Sequence, residues 1–400
     1  MSTNNISPNL LFLSDSSILN PIIHSQGLPL LKFLSEKKFQ CFFLSFESLK
    51  KVEENKKRYE LIRNEYIPFI SLNEIFLNEN SSIPFLLSYL IKGFVKARKI
   101  VQENRIKIIH ARSLFPAVIS LFLKIIYPKL KILYDNRGVF IDEQIYLKQW
   151  KRKSLIETIL RTLERRIIKK SDHIVVVSKM FKDFLINEFP TINNLSEKIS
   201  VINNKTHINN IIPEDLIKQK NKNIICVFSG SSAKWQNINE LMSFAQNCLR
   251  RINNFHFKIL TYEVDKFEKE ILYNKELLHI TEILNVTSDK VFDHLTSANF
   301  GLLLRENNLV NNVSSPLKFA EYLAAGLPVV VSEGVGDTAE IINNYRVGVV
   351  LKHNNFESAI LKLQKLLEEP DIYARCRYVA EKEFNIEDSF NLYKSIYCNI

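Results

Sequence analysis

The sequence predicts an α/β protein built from two doubly wound parallel sheets, and three observations support this prediction. Its 400 residues exceed what one hydrophobic core usually holds, so two domains are expected. Short apolar segments with strand character alternate with helical segments along the chain, as in parallel sheets covered by helices. A polar, Asn-rich segment at residues 203–223 separates two such series and is predicted to be a linker.

The pattern of each half supplies the elements of one sheet. In the first half, the predicted strands are residues 9–14, 40–46, 106–111, 131–135 and 173–178. Between them, an amphipathic helix is expected near Ile83–Asn104 and a long basic helix near Lys151–Lys170. In the second half, the predicted strands are residues 224–229, 255–261, 278–284, 300–305, 327–332 and 348–351. We therefore predict Rossmann-like domains at residues 1–205 and 206–385.

Composition narrows the class of protein. Hydrophobic residues make up 46% of the chain, which excludes a disordered protein. Five cysteines without a C-x-x-C pair fit a reducing cytoplasm and argue against a zinc site. No basic residue precedes Lys32, which is not typical of a secretory signal. The longest apolar run, residues 114–127, contains Lys124 and is too short to span a membrane. We therefore expect a cytoplasmic protein that is soluble or peripheral to a membrane.

The net charge of +11 is unevenly distributed. The first 200 residues hold 32 Lys and Arg against 19 Asp and Glu, whereas the remainder holds 22 against 24. This asymmetry indicates an anionic partner for the first half only, either a membrane surface or nucleic acid. No basic strand interleaved with aromatic residues and no RNA-recognition signature is present, which argues against nucleic acid.

The segment SSPLKFAEYLAAGLPVVVSEGVGD at residues 314–337 predicts a helix that leads into a buried strand. Ser315, followed by proline, suits the N-cap, and Gly326 suits a left-handed residue at the C-terminal end. Lys318 and Glu321 lie three residues apart and share one helix face. Either they form an ordinary ion pair, or the lysine meets a phosphate while the glutamate accepts hydrogen bonds from a sugar diol.

Two further cations follow predicted strands of the second half. Gly230 and Ser231 begin a turn of small residues that contains Lys234 and leads into a helix. A strand, a turn of this kind and a helix start form a phosphate cradle, although a single glycine is equally typical of an ordinary turn. Arg305 ends another strand and adds a second cation at the same edge of the sheet.

The corresponding strand ends of the first half also carry charged residues. His110 and Arg112 end one predicted strand, and Arg137 follows the next. Two arginines at neighbouring strand ends suit bidentate capture of phosphate or carboxylate, whereas the alternative for each is a surface ion pair. His110 alone is more typical of a structural histidine than of a base, and Gly27 lies in the only glycine turn after the first strand.

The segment SSPLKFAEYLAAGLPVV resembles the P-x-K-x-x-E-Y-x-A-x-G-x-P-V-V signature of the GT-B glycosyltransferases of glycosyltransferase family 4. SGSSAKWQN is similar to the phosphate loop of this family, and LERRIIKKSDHIVVVSKMF to its Glu-then-Asp-then-Val-Ser segment. EFNIEDSFNLYKSIY resembles its closing helix, here residues 386–400, which packs back on the first domain. The resemblance implies the GT-B fold, two Rossmann-like domains facing a cleft. It also implies that the second domain binds a nucleotide-sugar donor and the first an acceptor.

Carried over by position, the resemblance implies that Glu321 holds the ribose hydroxyls and that Lys234 and Arg305 meet the diphosphate. Together with the turns described above, it yields three sets of candidates. The catalytic set is Lys234, Arg305 and Glu306. The donor-binding set is Glu321, Lys318, Ser314, Ser315, Leu317, Gly230 and Ser231. The acceptor-side set is Arg112, Arg137, His110 and Gly27.

The chain departs from the family pattern at two positions. The family often has a second glutamate eight positions before the ribose-binding one, where this chain has Val313. Glu306, Asn311 or Asn312 is expected to replace its contact with the donor sugar. Many members also place a histidine after the fourth strand of the first domain, where this chain has Asn136 and Arg137.

The resemblance implies a retaining hexosyltransferase without a protein nucleophile, in which the leaving diphosphate deprotonates the acceptor. No cofactor and no metal ion are expected, because fixed cations stabilise the diphosphate. The predicted acceptor is a saccharide or lipid-linked saccharide used in surface polysaccharide or glycoconjugate synthesis. Two alternatives stay open: a non-catalytic binding partner with the same fold, which Val313 favours, and a sugar-nucleotide 2-epimerase. A dehydrogenase is not favoured, because no G-x-G-x-x-G turn is present.

The basic half predicts peripheral association with the inner face of a membrane. Lys148–Lys170 carries nine Lys and Arg against two acidic residues. An apolar stripe of residues 85–87 with Ile91 and Phe94 lies beside several lysines on the predicted amphipathic helix, although it also suits a face buried in the core. Because Arg112 and Arg137 are expected to face the acceptor, Arg137→Ala is predicted to reduce transfer far more than donor hydrolysis.

Overall fold

The computed structural model describes residues 8–77, 83–206, 211–213, 223–287 and 290–400, and the chain divides into two compact units. The N-terminal unit contains Met1–Val177, Lys182–Ile202 and Glu387–Ile400. The C-terminal unit contains Ser178–Phe181 and Asn203–Ile386. The structural boundary therefore lies three residues before the one placed at 205 from the sequence, and the four-residue segment Ser178–Phe181 was not predicted to belong to the C-terminal unit.

The N-terminal unit is built on a parallel sheet of seven strands within the described residues, in the order β3-β2-β1-β4-β5-β6-β7. The strands are β1 Leu10–Ser14, β2 Cys41–Ser48, β3 Ser71–Leu77, β4 Ile108–Arg112, β5 Lys131–Asn136, β6 His173–Val176 and β7 Ile199–Val201. A π-helical turn, Ile23–Gly27, precedes the first α-helix. The α-helices up to the end of β7 are α1 Leu28–Glu36, α2 Leu49–Glu54, α3 Lys56–Tyr66, α4 Ile83–Glu103, α5 Leu114–Ile126, α6 Phe140–Tyr146, α7 Leu155–Lys170, α8 Lys179–Glu188 and α9 Leu195–Lys198.

The C-terminal unit repeats this architecture with a parallel sheet of six described strands in the order β10-β9-β8-β11-β12-β13. The strands are β8 Ile224–Ser229, β9 Phe255–Leu260, β10 Thr281–Leu284, β11 Phe300–Leu303, β12 Val329–Ser332 and β13 Gly348–Leu351. The helices are α10 Ile238–Arg251, α11 Val264–Tyr273, a short 3₁₀ helix Lys275–Leu277, α12 Val291–Thr296, α13 Leu309–Asn312, α14 Leu317–Ala324, α15 Thr338–Tyr345, α16 Phe356–Leu367 and α17 Ile372–Glu383. The last helix, α18 Ile386–Asn399, belongs to the N-terminal unit from Glu387 onward.

Continuous apolar runs explain the central strands of both sheets. The residues of β1 and β12 are buried throughout, because helices cover both faces of a parallel sheet. The order of strands reverses between β1 and β4 in one unit and between β8 and β11 in the other. Ligands of open α/β sheets bind at the carboxyl ends of strands beside such a reversal. The topology therefore predicts ligand-binding residues in the loops after these four strands. The predicted fold class of two Rossmann-like domains is confirmed.

Two strands were not predicted, and one helix start was placed one residue too early. The strands β3 and β7 lie at the edges of their sheet and were missed, because β3 mixes polar with apolar residues and β7 has only three residues. The helix predicted to begin after Ser315 begins at Leu317, with Pro316 at the N-cap position. Its C-terminal end agrees with the prediction, since Gly326 has a positive φ of 73°.

The segment predicted to be a linker is partly integrated into the C-terminal unit. The N–H of Thr206 donates to Phe384 O at 2.9 Å, and the N–H of Ile212 donates to Ala324 O at 2.8 Å. The side chain of Ile212 is fully buried. Residues 207–210 and 214–222 of this segment lie outside the described residues.

Candidate functional site

The end of β8 is hydrogen-bonded to the side chain of Tyr322 on α14. The hydroxyl of Tyr322 accepts a hydrogen bond from Ser229 N at 2.9 Å and donates to Leu302 O at 3.3 Å, so it joins the ends of β8 and β11. The ring of Tyr322 packs on Gly301, where an added Cβ would lie 2.7 Å from ring atoms. This contact fixes α14 against the reversal point of the sheet.

Lys318 extends from α14 onto the backbone of Gly230. A Cβ added at Gly230 would lie 2.0 Å from Lys318 Nζ, so only glycine leaves room for the ammonium group. The Nζ atom lies 5.2 Å from the ring centroid of Phe228. Burial, helped by the charge of Arg305 and opposed by Glu321, lowers the pKa of Lys318 to about 7. The site therefore holds the lysine in an environment where its charge is only partly compensated.

Arg305 follows β11 beside this lysine. Its backbone N–H donates to Ser332 Oγ at 2.9 Å, and its Nη1 lies at the weak hydrogen-bond distance of 3.4 Å from both Asn311 Oδ1 and Ser314 Oγ. The Nε group is buried and donates to no described atom. Burial lowers the pKa of Arg305 to about 10, and no carboxylate forms an ion pair with it within the described residues. A second cation with spare donors therefore lies at the same edge.

Glu321 lies one turn after Lys318 and is mostly buried. Burial raises the pKa of the Glu321 carboxyl group, and the positive charge of Lys318 only partly opposes this effect. Within the part of the chain that the structure describes, the side chains of Glu321 and Lys318 form no ion pair and no hydrogen bond. The ordinary ion pair considered from the sequence is therefore absent. Mostly buried charges without a protein partner are costly, which makes these two side chains candidates for ligand binding.

The residues before α14 are held by hydrogen bonds within the unit. Ser315 Oγ accepts from Asn204 N at 3.0 Å, and Ser315 O accepts from Asn204 Nδ2 at 2.6 Å. These bonds explain why Ser315 does not cap the helix. Ser314 Oγ donates to Asn311 O at 2.7 Å, and Leu317 is the first helical residue. The start of α14 is therefore a rigid turn, to which Arg305 also connects.

The three residues considered as substitutes for the missing glutamate have different environments. Val313 is buried, so this position contributes an apolar side chain to the core. Asn311 Nδ2 donates to Glu306 O at 2.9 Å, and the Asn312 amide, oriented to donate, bonds Gly334 O at 2.5 Å. Both asparagines thus serve the loop itself. The exposed Glu306 follows Arg305, and its carboxylate accepts a long 3.4 Å bond from Asn308 Nδ2.

The turn after β8 is ordered by side chains rather than by glycines. Ser232 N donates to Glu263 Oε2 at 2.5 Å, and Ser231 Oγ accepts a long 3.4 Å bond from Ala233 N. Asn237 Oδ1 caps α10 by accepting from Glu240 N at 3.3 Å. Lys234 is exposed on this turn. The turn therefore presents its lysine to solvent, whereas Lys318 occupies the buried position above Gly230.

In the N-terminal unit, the predicted arginines share one buried carboxylate. Arg112 Nη1 donates to Asp135 Oδ2 at 3.0 Å, and Arg137 Nε lies 3.1 Å from Asp135 Oδ1. His110 Nε2 lies 3.1 Å from Asp135 Oδ2, and its Nδ1 contacts the hydroxyl of Tyr397 from α18. We call these residues the Asp135 cluster.

The charges of the Asp135 cluster compensate one another. Although burial alone raises the pKa of Asp135, Arg137 and Arg112 hold it well below its usual range. Burial and the two arginines lower the pKa of His110, against the opposing effect of Asp135. Arg137 Nη1 also donates to Ile202 O at 3.1 Å. This arrangement gives Arg112, Arg137 and His110 structural contacts with groups of their own unit.

Gly27 does not lie in a loop as its sequence context suggested. It ends the π-helical turn Ile23–Gly27 with a negative φ of −72° and continues into α1. Gly27 is buried, and a Cβ at this position would make only ordinary contacts of 3.6–3.7 Å. Neither a left-handed backbone nor a close approach therefore requires glycine here.

A polar pocket that the sequence analysis missed lies beside the reversal point of the N-terminal sheet. It has a volume of about 540 Å³ and is lined by Asp15, Ser16, Ser17, Leu19, Asn20, Pro21, Phe46, Ser48, Lys51, Asn55 and Arg58. We call it the β1–β2 pocket. Glu47 shapes it: the fully buried carboxylate accepts hydrogen bonds from Ser17 Oγ, Ser45 Oγ and Ile18 N. The signal in the sequence was a single acidic residue in or after each otherwise apolar strand, namely Glu47 and Asp15.

Asp15 is positioned by a strained residue. Ser113 follows β4 with φ 80° and ψ 176°, a region that residues other than glycine rarely adopt. In this conformation its hydroxyl donates to Asp15 Oδ2 across the reversal point. Burial raises the pKa of Asp15, and bonds from Ser113 and Ser16 oppose the rise. The local strain is therefore associated with the orientation of one carboxylate in the β1–β2 pocket.

Two family models and one curated protein are similar to this chain. Residues 30–206 match the family model Glycosyltransferase Family 4, and residues 210–383 match Glycosyl transferases group 1. The chain is 24% identical over 282 residues to an uncharacterized glycosyltransferase, MJ1069, of Methanocaldococcus jannaschii, which covers 69% of this chain and 68% of that protein.

Solved structures share the fold at low sequence identity. A glycosyltransferase from Rickettsia africae ESF-5 has a TM-score of 0.69 at 17% identity, and the match covers 98% of each chain. Anabaena Alr3699/HepE in complex with UDP and glucose has a TM-score of 0.69 at 11% identity, covering 98% of this chain and 100% of that one. Two Rossmann-like domains with these matches define a glycosyltransferase. The chain belongs to the GT-B glycosyltransferases of the family 4 type.

The described residues contain neither a transmembrane helix nor a metal-binding cluster. None of their helices is long and apolar enough to cross a bilayer. They also contain no group of three or more His, Cys, Asp or Glu side chains placed to hold a metal ion. All five cysteines are free thiols, and four of them are buried.

Proposed function

We propose that this glycosyltransferase is a retaining enzyme that transfers a hexose from a nucleotide sugar to a saccharide or lipid-linked saccharide. The observation that carries the proposal is the group formed by Arg305, Lys318 and Glu321, two cations and one acid without ion-pair partners among the described residues. A nucleoside diphosphate sugar offers what these groups lack, a diphosphate for the cations and a ribose diol for the acid. The UDP and glucose in the Anabaena structure support this class of donor.

The proposed chemistry relies on electrostatic stabilisation of the leaving group. The bond between the anomeric carbon and the diphosphate oxygen breaks, and the acceptor oxygen forms its bond on the same face of the sugar. The acceptor proton passes to the departing phosphate. Arg305, Lys318 and the exposed Lys234 stabilise the charge that develops there, an effect worth several kcal/mol in such sites. Glu306, beside Arg305, is the proposed contact with the donor sugar. It would replace the glutamate that the family often has at the position of Val313.

We propose that no metal ion is required, because Arg305 and Lys318 provide fixed positive charge near the diphosphate. Donor hydrolysis is then expected to persist in excess EDTA at an unchanged rate. A loss of activity that Mg²⁺ or Mn²⁺ restores would contradict this part of the proposal.

For the acceptor, the β1–β2 pocket is a better candidate than the predicted arginines. The pocket contains hydroxyl and amide groups for sugar hydroxyls, the carboxylate of Asp15, and the exposed cations Lys51 and Arg58. The guanidinium groups of Arg112 and Arg137, by contrast, already contact Asp135. We therefore propose that the pocket binds a saccharide that carries a phosphate or carboxylate group, and that the arginines support the fold.

The experiment that tests the donor assignment measures slow hydrolysis of a panel of nucleotide sugars by the purified protein. Release of a nucleoside diphosphate from one or a few members, and its loss in Glu321→Ala, is expected. The surface variant Glu340→Ala is the control, because Glu340 forms an ion pair with Lys179 away from α14. Hydrolysis of none of the nucleotide sugars together with no binding by calorimetry would overturn the proposal.

The cellular place that we propose is the cytoplasm, at the inner face of the membrane where lipid-linked acceptors of surface polysaccharides are found. The apolar stripe on α4 supports this proposal, since Leu87 and Ile91 are exposed rather than buried in the core. The side chain of Phe85, which the sequence assigned to the same stripe, lies outside the described residues.

A further inference from the structure

A groove on the N-terminal unit combines an apolar floor with a basic rim. It lies between α5 and α7, has a volume of about 690 Å³, and is lined by Leu121, Phe122, Lys124, Ile125, Pro128, Leu163, Arg166, Lys169 and Lys170. We call it the α5–α7 groove. It is separate from the β1–β2 pocket, with which it shares no lining residue. The segment that forms α5 is the longest apolar run of the sequence, and the proposed chemistry assigns it no role.

Several apolar side chains of α5 are unusually exposed to solvent. Phe122 is 46% exposed, Ile125 is 70% exposed and Ile126 is 44% exposed. One side of α5 packs on β4 and β5, and its neighbours are α4 and α7. The outer side of this helical layer therefore presents a continuous apolar strip to solvent, which is atypical of a surface that stays in water.

The cations at the rim are available to an external anion. Arg166, Lys169 and Lys170 are exposed, and their side chains form no ion pair with any residue that the structure describes. Asp172, which pairs with the lining residue Lys124, also pairs with Lys131. The rim is therefore positively charged without local compensation.

From these observations we infer that the α5–α7 groove binds an anionic phospholipid. One acyl chain lies against Phe122, Ile125 and Leu163, and the lipid phosphate pairs with the basic rim. A second copy of this chain is a poorer occupant, because a symmetric contact would bring two uncompensated basic rims together. The inference rests on the proposed membrane location, which it deepens by naming the element and the lipid class.

The first test is flotation of the full-length protein with vesicles of phosphatidylcholine alone or with 30% phosphatidylglycerol, at low and high salt. Binding is expected only to the anionic vesicles and is expected to weaken at high salt. The triple variant Arg166→Gln, Lys169→Gln, Lys170→Gln should bind on the order of a hundredfold more weakly, because each basic residue at such a surface contributes about fivefold. The matched control carries the same loss of charge on the C-terminal unit: Lys352→Gln, Lys362→Gln, Lys365→Gln.

The second test asks whether an acyl chain enters the groove. In Phe122→Trp, vesicles with brominated acyl chains should quench more tryptophan fluorescence than in the wild type. Leu361→Trp, at an exposed apolar position of the C-terminal unit, should show no such excess. Equal binding to both vesicle types, unchanged binding of the rim variant, or no excess quenching at residue 122 would each overturn the inference.

Donor hydrolysis provides the independent reference for both tests. It should be unchanged in all of these variants, because none of the substituted residues lies at the donor site. Loss of vesicle binding with intact hydrolysis supports the lipid site. Intact vesicle binding by a protein that hydrolyses no donor would contradict the proposed function and leave the lipid site supported. Conversion of a wild-type dimer to a monomer by the rim variant, without any effect on vesicles, would indicate the second copy as occupant.

Discussion

The two sheets carry clusters of charge after corresponding strands, and the clusters differ in whether their charges are compensated. In the Asp135 cluster, one buried carboxylate contacts two arginines and a histidine of the same unit. In the C-terminal unit, Arg305, Lys318 and Glu321 lie around α14 and form no ion pair with any residue that the structure describes. In the sequence, Arg305 and the arginines of the Asp135 cluster looked alike, because all of them follow predicted strands. We infer from the comparison that uncompensated charge indicates a ligand site better than position at a strand end alone.

The largest effect is expected for Asp135→Asn, which keeps the shape of the side chain and removes its charge. Two buried guanidinium groups would then lack a counter-charge, so the free energy of unfolding should fall by about 3–5 kcal/mol. Urea denaturation measures this. The control Glu54→Gln breaks the exposed pair with Lys50 and should change stability by less than about 0.5 kcal/mol.

The same cluster gives a sharper test through Arg137→Ala. If the arginine is structural, transfer and donor hydrolysis should fall by the same factor as the folded fraction. A loss of transfer with unchanged stability would instead support the acceptor role predicted from the sequence, and the comparison drawn above would not hold.

The second effect concerns Glu321→Ala. We expect donor affinity to fall by about 2–3 kcal/mol, because a charge-assisted contact with a diol is lost. Stability should stay the same or rise, since the mostly buried carboxylate forms no ion pair and no hydrogen bond with the residues that the structure describes. Calorimetry with the nucleotide sugar and thermal unfolding measure the two quantities. A large loss of stability with unchanged affinity would place Glu321 with the structural residues.

The third effect is a pH dependence that depends on Lys318. Its pKa in the free protein is about 7, and a diphosphate bound beside it would raise this pKa. Affinity is therefore full below pH 7 and should fall up to tenfold for each unit above it, until the pKa of the complex is reached. Calorimetry at pH 8 in two buffers of different ionisation enthalpy should reveal proton uptake on binding. Lys318→Met should abolish the uptake, whereas Lys234→Met should retain it.

The lowered pKa of Lys318 should also make the stability of the protein depend on pH. Its folded pKa lies below the value near 10.4 of an unfolded lysine, so the unfolded chain binds more protons between these values. The free energy of unfolding should therefore rise with pH from about 7 to 10 in the wild type, by an increment that Lys318→Met lacks. An identical pH profile in both proteins would contradict the lowered pKa.

The smallest effect is expected for Gly230→Ala. The added methyl group would lie 2.0 Å from Lys318 Nζ, and the flexible lysine can move away at little cost in stability. Donor affinity should then fall several-fold, by about 1 kcal/mol, because the ammonium group is displaced. Gly138→Ala is the matched control, since a Cβ at that position meets nothing within 4 Å. Equal affinities in both variants would mean that the position of Lys318 does not matter for the donor.

Much of this architecture could be predicted from local patterns. All six strands of the C-terminal sheet lie within segments that were predicted to be strands, and helix α14 was recognised from its proline, its Gly326 and its family signature. The i,i+3 spacing of Lys318 and Glu321 placed both on one face, and this spacing is a property of the sequence alone. Edge strand β3 escaped notice because its exposed side makes its pattern irregular.

What could not be predicted depends on contacts between distant residues. Asp135 meets Arg112 from a neighbouring strand and, through His110, Tyr397 of the last helix, more than 260 residues further along the chain. Likewise, Asn204 donates hydrogen bonds to the hydroxyl and carbonyl oxygens of Ser315, the residue that was expected to cap α14. No local pattern contains these pairings, so the sequence could place the arginines but could not show that their charges were already compensated.

Ser113 carries a consequence for how this protein can be changed. Its backbone adopts a conformation that costs on the order of 1–3 kcal/mol for a residue with a side chain. A search for stabilising substitutions would therefore choose glycine at this position, and the resulting chain should melt at a higher temperature. The same substitution would remove the hydroxyl that orients Asp15. If the β1–β2 pocket receives the acceptor, thermostability and turnover will be in direct competition at a single residue.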